Sequence, residues 1–261
     1  MIRDSLGDRM KTYESVSDTR LSRLTPVILR LDGRAFHTLT KPLIKPFDRL
    51  FMDAMDMTLE KLCREIPGCR MGYVQSDEIS LLLLEKTLRS DAWFENRIQK
   101  IVSISASIAS TAFRASLAQL LGLMENRDAD VRSYDLLLNE AVFDCRAFSV
   151  PERDVCNYFI WRQKDCYRNA VLTMAQHHIG KKVIYGMTVF KLAETLHGMG
   201  FALSDIPSLK GRVCIKDLDI LDLPEKKEWT LIKDAPDFKE NREFVELRLL
   251  ISEGDKTNEN K

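Results

Sequence analysis

The sequence predicts an α+β fold of the split ferredoxin-like type, followed by a mainly helical extension. Three observations carry this expectation. Residues 25–32 alternate, with Val27, Leu29 and Leu31 on one face and Ile28, Arg30 and Asp32 on the other. Apolar residues then recur at helical spacing over 47–66 and again over 98–121. Strand-like runs at 69–75, 79–85 and 141–150 complete the order strand, helix, strand, strand, helix, strand.

Composition sets the outer bounds. The pattern divides the 261 residues into a core with an N-terminal arm (1–150), a helical extension packed on that core (151–251) and a polar tail (252–261) expected to be disordered. Hydrophobic residues at 45% and charged residues at 30% describe an ordinary soluble globular protein. No run reads as a leader or as the roughly 20 apolar residues that span a bilayer, so no membrane partner is expected. Six cysteines without a CxxC pair read as reduced thiols of a cytoplasmic protein. A net charge of zero gives no broad attraction to nucleic acid, so any RNA contact would need local basic patches.

Taken in order, 4–11 reads as a short helix or arm. Arg30 and Asp32 on one side of the first strand point to a sheet whose second face is open to a ligand, and Gly33 relaxes the backbone for a turn. Pro46-Phe47-Asp48 opens the first long helix, whose stripe of Leu50, Phe51, Met55, Leu59, Leu62 and Ile66 reads as core before Pro67-Gly68 stops it. Gln75-Ser76-Asp77-Glu78 turns the second strand into the third. A Ser/Ala-rich helix over 98–121 suits close packing on a sheet, and 127–134 is a charged connector. Beyond Pro151 come a helix over 152–175, another helical segment over 183–197, and short strands at 212–216 and 229–232.

A right-handed strand–helix–strand unit makes the first two strands parallel, with the third antiparallel between them. Asp32 and Asp77 should then meet at one edge of the sheet. Two readings stand for them. They cap a turn and close a hairpin, or they supply hard oxygen ligands of the kind Mg²⁺ takes beside substrate phosphates. Phosphate-directed groups gather around the pair: the turn from Gly33 to His37, the Ser76 hydroxyl, the Arg30 guanidinium and Lys45 before the helix. Glu78 supports the pair or is a hairpin charge.

The segments Val27-Ile28-Leu29-Arg30-Leu31-Asp32-Gly33-Arg34-Ala35-Phe36-His37, Lys45-Pro46-Phe47-Asp48 and Gln75-Ser76-Asp77-Glu78 resemble the tRNA-histidine guanylyltransferase family and its 3′–5′ polymerase relatives. Arg97 and Lys100, Phe143-Asp144-Cys145-Arg146 and Trp161-Arg162-Gln163-Lys164-Asp165 add to the resemblance, which covers about residues 1–175. It implies a polymerase-type palm, with two Mg²⁺ ions held by Asp32, the Gly33 carbonyl and Asp77, and with Glu78 in the catalytic set. It implies nucleotide binding by Asp32, Gly33, Arg34, Ala35, Phe36, His37, Lys45, Ser76 and Asp77. Arg30, Arg97 and Lys100 resemble residues that handle triphosphate or an activated 5′ end. The implied reaction activates a tRNA 5′ end with ATP or GTP, after which the 3′-hydroxyl of an incoming nucleotide attacks it. The family also implies a homotetramer.

Where eukaryotic members carry His-Ile-Asn-Asn-Leu-Tyr-Asn, this chain has Cys166-Tyr167-Arg168-Asn169-Ala170-Val171-Leu172. That is the bacterial and archaeal pattern, and it favours template-directed repair of shortened tRNA 5′ ends over addition of G to tRNA-histidine. Arg162, Lys164, Arg168 and Asn169 are the candidate RNA contacts. A nucleotidyl cyclase and a catalytically idle RNA-binding module are the alternatives.

Overall fold

The alternating residues of the first run form strand β1, Val27–Gly33. The computed structural model describes residues 5–85, 92–123, 131–206, 209–216 and 228–250; the start of the charged connector and the expected polar tail lie outside them. Helix α1 (Ser5–Ser15) precedes β1 and buries none of its residues. A four-residue helix α2 (Phe36–Leu39), too short for periodicity to reveal, leads to α3 (Arg49–Glu65). Strands β2 (Cys69–Gln75) and β3 (Glu78–Leu83), helix α4 (Ile98–Gly122), short helix α5 (Asp135–Glu140) and strand β4 (Phe143–Ser149) follow. The predicted order of strands and long helices is the one observed.

The strands form one sheet in the order β4-β1-β3-β2-β5-β6, where β5 is Arg212–Lys216 and β6 is Trp229–Ile232. Every neighbouring pair is antiparallel, so β3 lies between β1 and β2 as expected. The C-terminal region supplies helices α6 (Glu152–His178), α7 (Val189–Gly198) and α8 (Arg242–Glu246), and also the two strands that extend the sheet beyond β2.

Val27, Leu29 and Leu31 pack against Met55, Leu59 and Leu62 of α3 and Ile101, Phe113 and Leu117 of α4. Full burial of each such side chain contributes about 1.5–3 kcal/mol. Phe36, Phe51, Phe113 and Phe143 form a cluster of tilted and edge-on rings under the end of β1. Helix α4 is long and apolar enough to cross a membrane by composition, but Ile101, Ala109, Phe113 and Leu117 are buried in this core. Its small residues let β4 approach closely: the Ser110 hydroxyl accepts the Phe143 N–H at 2.9 Å.

The second face is not open, contrary to the expectation from Arg30 and Asp32. Helix α6 lies across it, and Val155, Tyr158 and Phe159 pack on Ile28, Met71, Tyr73 and Leu82. Polar surface remains toward β4, where Asp144 and Arg146 are exposed. Gln163 of α6 fixes the C-terminal segments to that helix. Its amide donates to the Lys210 and Pro236 carbonyls at 3.0 Å each and accepts the Phe238 N–H at 2.9 Å.

Helix α3 starts later than Pro46. Asp48 stands just outside it as the cap, accepting the N–H groups of Phe51 at 2.9 Å and Ile44 at 3.1 Å and the Tyr134 hydroxyl at 2.7 Å. Gly33 is required for a different reason than turn freedom. A Cβ there would lie 2.5 Å from the Phe36 ring. Gly33→Ala is expected to destabilise the fold by about 2 kcal/mol through overpacking. Thermal melting checks this, and Gly33→Ala with Phe36→Leu should recover part of the loss.

Candidate active site

The end of β1 and the β2–β3 turn meet as the topology requires. The Gly33 N–H donates to the Asp77 carbonyl at 3.1 Å, which joins the residue after Asp32 to Asp77 itself. In the sheet, Asp32 stands opposite Glu78 on β3 and opposite Asp144 on β4. Asp144 is the acidic neighbour that the reading of single motifs missed; alternation along 143–149 places it on the face of Arg146, and only strand pairing places it beside Asp32.

Charge is crowded here. Burial pushes the Asp32 carboxyl up to about 6, and the carboxylates of Asp77, Glu78 and Asp144 add to the shift, with Arg146 opposing it. Burial also holds Asp77 above the ordinary range, while the Ser76 hydroxyl, donating at 3.0 Å, pulls it back. Such an edge attracts a cation. Among the described residues no three His, Cys, Asp or Glu side chains converge as a metal cage. Two carboxylates and the Gly33 carbonyl are nonetheless a fitting set of hard oxygens for Mg²⁺, which takes few protein ligands and keeps water and phosphate oxygens for the rest.

Beside this edge the backbone turns through Ala35, at φ 58°. The N–H groups of Ala35, Phe36 and His37 meet no acceptor among the described residues, so three consecutive donors are available to an anion. Arg34 points to solvent, its N–H held by the Val142 carbonyl at 2.9 Å. Phe36 is buried in the aromatic cluster.

A cavity of about 270 Å³ opens next to these groups. Phe36, His37, Lys45, Ser76 and Asp77 line it, together with the apolar Leu43, Phe47 and Met52 and with Cys166, Asn169, Ala170 and Thr173 of α6. Lys45 donates to the Thr40 carbonyl at 2.7 Å, and burial lowers its pKa. Arg212 also lines the cavity and is ion-paired with the buried Asp56.

Four predicted placements need correction. Arg162, a candidate RNA contact, is not presented to a ligand at the surface: it is 6% exposed and grips both Glu78 oxygens, at 2.7 and 2.8 Å. A third bond reaches Asp165 at 2.9 Å. Lys164 and Arg168 are exposed, and Arg168 is paired with Asp165. Asn169 faces the cavity rather than an outer RNA surface. Arg97 and Lys100 begin α4 after β3 has run to the far end of the sheet, where Leu83 pairs with Val27. There Arg97 is held by Asp18 at 3.0 Å, and Lys100 lies over the Phe94 ring. Within one chain these two cations do not join Asp32 and Asp77.

Known proteins resemble this arrangement. The family model described as "Thg1: tRNAHis guanylyltransferase" matches residues 7–151, more than half of the chain. A bacterial tRNA(His) guanylyltransferase (Thg1)-like protein solved in complex with ATP is 32% identical, with a TM-score of 0.82 over 95% of this chain and 100% of the other. Its counterpart in complex with GTP gives 33% and 0.77 over 94% and 99%. Among curated sequences, an uncharacterized protein of Acanthamoeba polyphaga mimivirus is 33% identical over 69% of this chain and 65% of its own length. The tRNA(His) guanylyltransferase of Debaryomyces hansenii is 31% identical over 56% and 51%. The chain thus spans between about half and two-thirds of the length of these two curated relatives. With the family model covering both carboxylate segments and the likeness extending through α6 and the added strands, the chain belongs to the tRNAHis guanylyltransferase family.

Proposed function

We propose that this chain is a template-dependent nucleotidyltransferase that adds nucleotides in the 3′–5′ direction to shortened tRNA 5′ ends. One observation carries the reading: the Asp32 and Asp77 segments are hydrogen-bonded together at a cavity edge that also presents free backbone donors. Asp32, the Gly33 carbonyl and Asp77 would hold two Mg²⁺ ions. Bound there, such ions favour ionisation of an attacking hydroxyl and stabilise charge on a leaving pyrophosphate.

The chain's own groups do the rest. The N–H groups of Ala35 to His37, the Ser76 hydroxyl and Lys45 bind and orient the triphosphate of ATP or GTP, while Phe47, Leu43, Asn169 and Thr173 enclose the remainder of the nucleotide and exclude water. Arg30, on the sheet face of Asp32, receives the 5′ phosphate of the RNA. Glu78 serves through its bond to Arg162, which fixes the strand opposite Asp32. Nucleotide binding is supported by the ATP and GTP complexes of the bacterial Thg1-like protein. The reading includes a cytoplasmic location and a homotetramer; Leu6, Met10 and Tyr13, exposed on an α1 that buries nothing, offer an apolar surface for contact between copies.

Repair is favoured over G addition because Cys166, Asn169 and Ala170, from the segment that departs from the eukaryotic pattern, line the cavity. The test uses tRNA transcripts lacking the first 5′ nucleotide, with Mg²⁺ and labelled nucleotides. Two transcripts differ only in the template base and two only in the anticodon. The expected result is addition of whichever base complements the template, with either anticodon. Addition of G regardless of template, or only with the histidine anticodon, indicates a dedicated guanylyltransferase. Product formed without RNA indicates a cyclase, and RNA binding without product indicates an idle module.

A further inference from the structure

We propose that Trp161 is a stacking platform for the terminal nucleobase at the 5′ end of the RNA, an assignment that rests on the function proposed above. Trp161 is 52% exposed, whereas Trp93 and Trp229 are partly buried. Leaving so large an apolar ring in water is unfavourable unless something covers it.

The ring is held, not loose. The Arg162 guanidinium lies 4.4 Å from its centroid, and Arg162 is itself fixed by Glu78 and Asp165. Arg30 approaches at 5.7 Å, and Tyr158 packs edge-on at 5.9 Å with its hydroxyl 2.7 Å from Ser80 Oγ. A ring already fixed in place loses little freedom when a ligand stacks on it.

Its neighbours choose the ligand. Arg30 and Arg146 stand directly opposite each other on β1 and β4, and neither forms an ion pair among the described residues. Like charges in that register repel, and a phosphate between them relieves the repulsion. An aromatic ring beside the unpaired guanidinium of Arg30 suits a base with its phosphate. A protein partner would call for a wider apolar patch than one ring among cations. Arg30 also precedes Asp32 by two residues on the same face, roughly 7 Å along the strand. A base on Trp161 therefore lies about one nucleotide from the acidic edge, where the first residue of a shortened tRNA has to sit.

The experiment is equilibrium binding without nucleotide. The probe is an acceptor-stem hairpin lacking its first 5′ nucleotide, with 2-aminopurine as the new 5′-terminal base. Wild type and Trp161→Phe should quench the fluorophore and bind with similar Kd. Trp161→Leu, apolar but unable to stack, should lose the quenching and bind about tenfold more weakly. Thermal melting confirms the fold of each variant. Equal binding and quenching by Trp161→Leu overturns the platform alone and leaves the ring to a protein contact. No binding by wild type sinks the repair reading, and the platform with it.

Discussion

Asp32→Asn is expected to abolish nucleotide addition and, in metal-free buffer, to make the protein more stable. The loss follows from removing one of two carboxylates that would hold the catalytic ions; Asp77→Ala should match it, each slowing turnover by at least about 10³-fold. The gain follows from charge crowding. With a folded-state pKa near 6 against an ordinary 3.8, the folded chain retains a proton that the unfolded chain releases. The penalty is therefore absent below about pH 4 and complete above about pH 6. Solvent screening at this half-buried position leaves about 1 kcal/mol of it. Melting curves of wild type and Asp32→Asn at pH 4 and pH 7 measure the difference, which should appear only at the higher pH. Near-normal turnover by a folded Asp32→Asn removes the two-ion reading, and equal melting at both pH values removes the crowding.

Arg162→Met should produce the largest loss of stability, about 3 kcal/mol. The substitution leaves Glu78 as an unpaired charge under α6, where it is 8% exposed. Adding Glu78→Gln should restore much of the loss, since removing both partners costs less than stranding one. Denaturant unfolding of the two single variants and the double variant gives the coupling directly. If Arg162→Met and wild type unfold at the same midpoint, the pair does not hold the helix to the sheet.

Much of the site was legible because its cues are local. Alternation set the facing of Asp32, the hairpin turn set Asp77, and strand handedness brought the two together over 45 residues of sequence. Strands β5 and β6 were readable as short strands, but nothing in their runs placed them beyond β2 as part of the same sheet. What escaped depends on partners distant in the chain. Helical spacing put Arg162 with Lys164 and Arg168, but only the docked α6 shows its carboxylate partner, 84 residues away in sequence. The same docking turned Asn169 toward the cavity and closed the face that Arg30 and Asp32 seemed to leave open. Arg97 and Lys100 did not escape in this way: the resemblance gave them a phosphate contact, while the strand order alone already set their helix at the sheet edge away from Asp32.

The strand order has a consequence for synthesis on the ribosome. Residues up to Val150 supply β4, β1, β3 and β2 as neighbours, so this four-stranded unit can close before the rest of the chain emerges. The outer edge of β2 then waits for β5, about 60 residues later at Arg212. Until then its backbone groups are open, and Met71 and Tyr73 lack the cover that α6 and Phe238 give them in the finished protein. The nascent chain thus passes through a stage in which a bare strand edge and an apolar face are presented together, the combination that invites pairing with another chain. Gln163, tying Lys210, Pro236 and Phe238 to α6, is the contact that ends this exposure.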